Sequence, residues 1–366
     1  VTRGAAFVAA LLVAIGRPTW WVMALATFLL RGGIVVAALP IVTFPSVLAL
    51  SNAVAPLVLP LALGRVEPAI VAGPALIVVG LLVWLVGGGR IAAGIDVALV
   101  REGAEAAVDE GVAGRPDATG GDRDGDSGPS TVPAPRRATS GLAWRVLALR
   151  LIAWLPLAIA LGIGVAAIVG ATYAELTRPT DVATPLAVRV AREVVPELGL
   201  IVIAWVIGEV VGGVATRRAV LARGSHGTSL GSAIRTSAAR PLSWLLPWLG
   251  TTFVLVLVMG GTLAAAAIAW GHAVDALADR SSAPLQGYAT LVLFVGLWVA
   301  AMFLGGVVLA VRSTAQTFEH VRLTVAAMAS PEGPVADGST ADPGTFGASA
   351  RRRPGDWSPH DEGGSL

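Results

Sequence analysis

The sequence predicts an all-α fold, a polytopic bundle of transmembrane helices, and three observations carry that expectation. Hydrophobic residues make up 55% of the chain and charged residues 14%, well short of the roughly one quarter charged that a soluble domain carries. Six stretches are each long and apolar enough to cross a hydrocarbon core of about 30 Å, which takes roughly 20 residues of helix. Arginines crowd between these stretches on one side only. A spanning segment must satisfy its own backbone amides in lipid, and the short alternating segments of a β-barrel are missing from the pattern, so helices are the required form.

Taken in order, the chain opens with Arg3 and the apolar run Ala5–Ile15. That run is too short to cross, so it reads as an interfacial lead-in helix, with a cleaved signal peptide as the alternative. The six spans follow at Trp20–Pro40, Ala69–Gly87, Trp144–Ala171, Leu198–Ala215, Trp244–Trp270 and Tyr288–Val311. They group as three hairpins. The first opens with Arg17-Pro18-Thr19-Trp20-Trp21 and the third with Arg240-Pro241-Leu242-Ser243-Trp244, while the second opens with Trp144-Arg145. These entries put tryptophan and arginine at the inner interface, where an amphipathic ring and a snorkelling cation are favoured. The second helix of each hairpin ends in glycines followed by arginine: Gly87-Gly88-Gly89-Arg90, Gly212-Gly213 before Arg217, and Gly305-Gly306 before Arg312. Part-polar helices at Ile91–Glu105, Ala219–Ser237 and Ser313–Ala329 then run into or along the cytoplasmic interface. Ser46–Leu63 is also apolar, but Pro45, Pro56 and Pro60 break it, and it reads as re-entrant or outer-surface.

Four regions result. Residues 1–110 hold the lead-in helix, the first hairpin and its interfacial helix. Residues 111–140 are Gly, Pro, Asp, Ser and Thr with almost no large apolar side chain, the composition of a disordered linker. Residues 141–330 carry the second and third hairpins, and 331–366 form a tail of the linker's composition with Arg351, Arg352 and Arg353.

Orientation follows the arginines. All 26 basic residues are arginine; segments 1–19, 88–143, 216–243 and 312–366 hold 18 of them, and the opposite loops hold five. The positive-inside rule then places both termini in the cytoplasm. Arginine in place of lysine, with the Ala/Gly/Val bias, points to a GC-rich bacterial source and so to a bacterial cytoplasmic membrane. There is no cysteine, which excludes disulfides and thiol chemistry.

Two charges stand out. Arg31 lies near the middle of the first span, and Glu209 is the carboxylate inside a clear span. At 1.5 Å per residue they sit roughly 16 Å and roughly 10 Å from the inner ends of their helices, a gap an arginine bridges. They are predicted to form an intramembrane ion pair, as a packing contact or as a transport or proton-relay site. Gly208 and Gly212 give the same helix a Gly-x-x-x-Gly face for close packing. Asp96 is expected at the inner interface near Arg90 or Arg101.

Other patterns fail. Asp122-x-Asp124-x-Asp126 begins like a calcium loop but has Ser127 and Pro133 where glycine and glutamate belong. His226, His272, His320 and His360 lie in separate segments. No metal, cofactor or catalytic residue is therefore assigned, and nucleic acid is not an expected partner.

The hairpins joined by amphipathic segments, seen most clearly in Thr228-Ser-Leu-Gly-Ser-Ala-Ile-Arg235 leading to Arg240-Pro-Leu-Ser-Trp244, resemble the multi-span membrane domain found with some bacterial glycerophosphodiester phosphodiesterases and its stand-alone relatives. The resemblance covers roughly residues 141–325 and more loosely the whole membrane part. It implies a helical membrane fold. The soluble barrel that carries the hydrolase activity has no alternating strand–helix counterpart in this sequence, so no catalytic residue carries over.

The leading functional expectation is a non-enzymatic scaffold or accessory subunit, with membrane lipids and a protein partner or second copy as its partners. The alternative is a small-solute or lipid transporter with a polar site near Arg31 and Glu209.

Overall fold

Proline and glycine set where the helices of this protein begin and bend. The computed structural model describes residues 2–42, 68–112, 140–178, 184, 186–221, 226–278 and 284–329. The Ser46–Leu63 segment, the linker core at 113–139 and the tail at 331–366 lie outside the described residues. Within them every regular element is helical. We number the helices α1 (Arg3–Ile15), α2 (Pro18–Ile41), α3 (Pro68–Asp109), α4 (Ser140–Ala153), α5 (Leu155–Thr177), α6 (Leu186–Glu193), α7 (Val195–Leu221), α8 (His226–Ala239), α9 (Pro241–Ala278) and α10 (Pro284–Ala329). Six of these, α2, α3, α5, α7, α9 and α10, are long and apolar enough to cross a membrane, and the chain is a multi-pass membrane protein.

Pro18 and Pro241 occupy the first turns of α2 and α9, where the missing N–H costs nothing and the fixed φ suits a helix start. The tryptophans that follow are buried within the protein. Trp20 is 1% and Trp244 3% exposed. Trp20 Nε1 donates to Glu102 on α3 at 2.5 Å, and the Trp244 ring lies 6.0 Å from that of His320 on α10. Each ring anchors the start of one span against the far end of the next.

Those far ends exist because the glycines do not stop the helices. α3 runs through Gly87–Gly89 for 42 residues and α10 through Gly305–Gly306 for 46, about twice the length the hydrocarbon core requires. The boundaries expected there are corrected accordingly. These glycines mark close approach. A Cβ at Gly306 would lie 2.9 Å from the Trp21 carbonyl oxygen on α2, backbone that cannot give way cheaply. Gly306→Ala should therefore cost about 1–3 kcal/mol, read as a lower midpoint in thermal unfolding of the purified protein.

Burial is uneven along the bundle. One end is densely packed. There α1 contributes Ala6 and Ala10, α2 Trp20 and Ala24, α3 Leu99, Ala104 and Ala107, and α10 Ala310, Ala315 and Phe318 to a single cluster. Arg3 extends the tie, donating to Ser243 Oγ at 2.7 Å and lying 3.6 Å from Glu319. A second cluster joins α7, α8 and the start of α9 through Val214, Ala215, Ala233 and Trp248. Toward the other end, Leu76–Val86 of α3 and Ile159–Val169 of α5 leave their large apolar side chains exposed. Water would not tolerate so continuous an apolar surface, but lipid does.

The helical path is interrupted at three places. In α2 the stretch Leu29–Gly33 is a π-turn, with Arg31 at φ −90°, ψ 16° and Gly32 at φ 101°; only glycine takes that second conformation without strain. In α9 the π-turn is Val256–Gly260. Between α4 and α5 the helix is interrupted at Trp154 (φ −91°, ψ −3°), where Pro156 sits in the first turn of α5 and the backbone hydrogen bonds Trp154 to Arg150 and Ala158 to Trp154 carry on.

Candidate functional site

The three breaks face one another across a cavity of about 500 Å³ lined from α2, α3, α4, α7, α9 and α10. Its size falls in the range of small-molecule sites. Most of the wall is apolar, including Phe28, Leu99, Leu255, Val256 and Met259. Six ionisable side chains line it: Arg31, Asp96, Arg150, Glu209, Arg217 and Arg312. Four guanidinium groups thus face two carboxylates, an excess of two positive charges inside the bundle.

Each charge is delivered by a separate local device. The π-turn of α2 turns Arg31 toward α3, where its Nη2 donates to Asp96 Oδ2. Asp96 rides on the small-residue face Ala92, Ala93 and Val97 of α3, all buried, which lets α4 pack close. From α4, Arg150 Nη2 donates to the same Asp96 Oδ2 at 3.1 Å. Its Nη1 lies 3.9 Å from Glu209 Oε1 on α7. Arg312 of α10 donates from Nη2 to Glu209 Oε2 at 3.0 Å, and its guanidinium sits 5.0 Å from the Trp248 ring centroid. The result is a chain from Arg31 through Asp96, Arg150 and Glu209 to Arg312 that ties five helices together. All five side chains are less than one-fifth exposed.

Arg217 stands apart from that chain. It is 4% exposed and donates to the Gly213 carbonyl at 2.9 Å, the Ser313 carbonyl at 3.0 Å and Thr317 Oγ1 at 3.3 Å. Among the described residues no carboxylate is one of its hydrogen-bond partners, so its charge is held by backbone dipoles and a hydroxyl and adds directly to the positive field of the cavity.

Among the described residues several donors at the wall make no hydrogen bond. They are Arg150 Nε and Nη1, Trp154 Nε1, Thr27 Oγ1 and Thr252 Oγ1, each with its atom buried and each on a residue lining the cavity. A buried donor left unmade costs about 1–3 kcal/mol, and a ligand oxygen entering the cavity could accept from these.

Arg31 and Glu209, the two residues singled out in the sequence, both reach this cavity. Among the described residues the ion-pair partner of Arg31 is Asp96, and those of Glu209 are Arg150 and Arg312. The direct pair is thus replaced by a relay with Asp96 and Arg150 in between. Among the described residues Asp96 pairs with Arg31 and Arg150 instead of with Arg90 or Arg101, and it is buried against α2 and α4, while Arg90 stacks on Trp144 at 5.1 Å. Arg150, Arg217 and Arg312 had a sufficient topological explanation at span ends, which hid their second role. The usable signal was Asp96, an acidic residue on an alanine-rich helical face with no acidic neighbour within a turn. Gly208 and Gly212 do serve close packing: a Cβ at Gly208 would lie 3.0 Å from Trp154 and one at Gly212 3.4 Å from Ala153, which seats α7 against α4.

Among the described residues no three His, Asp or Glu side chains converge as metal ligands would. No protein-family model, curated protein or solved structure matches the chain.

Proposed function

We propose that this is a transport protein of the bacterial cytoplasmic membrane whose central cavity binds an anionic group, with both termini on the cytoplasmic side as the arginine distribution favours. The observation that carries the reading is the unbalanced charge. A purely structural ion-pair network in lipid is stable when its charges match and its donors are satisfied. Here two positive charges are left over and Arg150 keeps two buried donors free. An anion entering the cavity would meet both needs.

The broken helices support transport in preference to a scaffold. Secondary transporters place their sites near mid-membrane between interrupted helices, where irregular backbone can line a cavity. Two π-turns and the Trp154 break border this one, and π-turns inside helices gather at functional sites.

The test uses purified full-length protein in nanodiscs and glycerol 3-phosphate as the probe. Wild type should be stabilised by the probe in a saturable way. Arg150→Gln should bind it roughly ten- to a hundredfold more weakly, the loss of one or two charge-assisted hydrogen bonds. Absence of any stabilisation of wild type, or equal stabilisation of Arg150→Gln, would refute the assignment.

A further inference from the structure

A second cavity of about 270 Å³ lies between α2, α3 and α4 and shares Arg31, Arg150 and Trp154 with the central one. Its remaining wall is almost wholly apolar, with Leu81, Leu85 and Leu151 among the lining residues. These three leucines are 63%, 42% and 37% exposed, so the cleft opens on the surface that lipid covers. Its floor is the α2 break, where Gly32 lines the cleft with its positive φ. One side of Arg31 and Arg150 therefore looks into a cationic chamber, and the other into an apolar cleft that is open sideways to the bilayer.

We infer that the ligand is a phosphate-headed lipid, its headgroup in the central cavity on Arg150 and its acyl chain in the α2–α3–α4 cleft. This rests on the anion-binding reading above and narrows it. A soluble anion would need only the chamber. An amphiphile uses both spaces at once, and it can enter sideways from the leaflet without crossing the packed end of the bundle. Phosphate suits the chamber better than carboxylate. A phosphate monoester carries a charge between about −1.5 and −2 near neutral pH, which matches the excess of two. Its several oxygens can accept from more than one planar guanidinium.

The experiment uses lysophosphatidic acid with a photoactivatable diazirine in its acyl chain, added to the full chain in phosphatidylcholine nanodiscs. After irradiation, crosslinked peptides are mapped. Labelling should concentrate on the peptides carrying Leu81–Leu85 and Leu147–Leu151. It should fall about tenfold in Arg150→Gln, as expected for a lost charge-assisted hydrogen bond. In wild type it should also fall on adding excess unlabelled lysophosphatidic acid but not on adding neutral monoacylglycerol, a measurement that stands even if the variant does not fold. Labelling spread equally over the exposed faces of α5 and α10, or displaced equally by the neutral lipid, overturns the inference. If labelling is spread in this way while glycerol 3-phosphate still stabilises wild type, the site takes a soluble anion and only the lipid assignment falls. If neither probe binds, both readings fall.

Discussion

Replacing Asp96 with asparagine should cost the folded protein about 3–5 kcal/mol, the usual penalty for removing one partner of a buried ion pair. Asp96 Oδ2 is the common acceptor for Arg31 and Arg150, so one substitution strands two guanidinium groups in a low-dielectric interior. The effect is asymmetric. Arg31→Gln/Asp96→Asn removes both members of one pair and should recover part of the loss, because one of the two stranded charges is gone while Arg150 keeps Glu209 nearby. Denaturant unfolding of the purified proteins in mixed micelles reads both values. On the anion-binding account Asp96→Asn should also gain more stability from added glycerol 3-phosphate than wild type does, since the cavity then carries one further uncompensated positive charge.

Arg312→Glu should be at least as damaging. It puts a second carboxylate where Glu209 now accepts from Arg312 at 3.0 Å, and it removes the cation over Trp248. Two like charges at that separation inside the bundle cannot both remain ionised, and folded protein should be lost from the membrane fraction. The exchange Glu209→Arg/Arg312→Glu restores an opposite-charge pair and should return folded protein, although not to the wild-type level, because Trp248 would then face a carboxylate. Fluorescence-detected size-exclusion of the tagged proteins reports the amount directly. Because Glu209→Arg also faces Arg150, the exchange is compared with Glu209→Arg alone, and an exchange no better than that single variant would mean that Glu209 and Arg312 do not depend on each other.

Much of this architecture is legible without a structure because lipid is a strict solvent. Length and composition alone pick out six spans, and Pro18 and Pro241 fix two of their starts, since proline at a helix start has a local cause. The glycine runs mislead for an equally physical reason. Gly88 and Gly306 look like helix ends, but within a bundle the missing side chain serves close approach: a Cβ at Gly88 would lie 3.2 Å from the Leu30 carbonyl oxygen. The close approach of α2 and α4 to α3 buries Asp96, and the partner of Arg31 changes with it.

The site itself is only half legible. Arg31 betrays itself because no topological rule explains an arginine at mid-span. Arg150 and Arg312 do not, since the positive-inside rule already accounts for arginine near span ends. The breaks in α2 and α9 leave no proline signature. Leu29–Gly33 and Val256–Gly260 each carry or adjoin a glycine pair, Gly32-Gly33 and Gly260-Gly261, but glycine is so common in this chain (44 residues) that the pairs do not mark the breaks out. The unpaired donors of Arg150 are a property of the assembled walls alone.

The most direct test of the central claim is a cryo-electron microscopy structure of the full chain in nanodiscs containing lysophosphatidic acid. The account predicts ligand density in the central cavity within hydrogen-bond distance of Arg150 Nε or Nη1, with Asp96 still bridging Arg31 and Arg150. A closed cavity, in which those two donors of Arg150 are taken by protein groups and no ligand density lies among the four arginines, would contradict it.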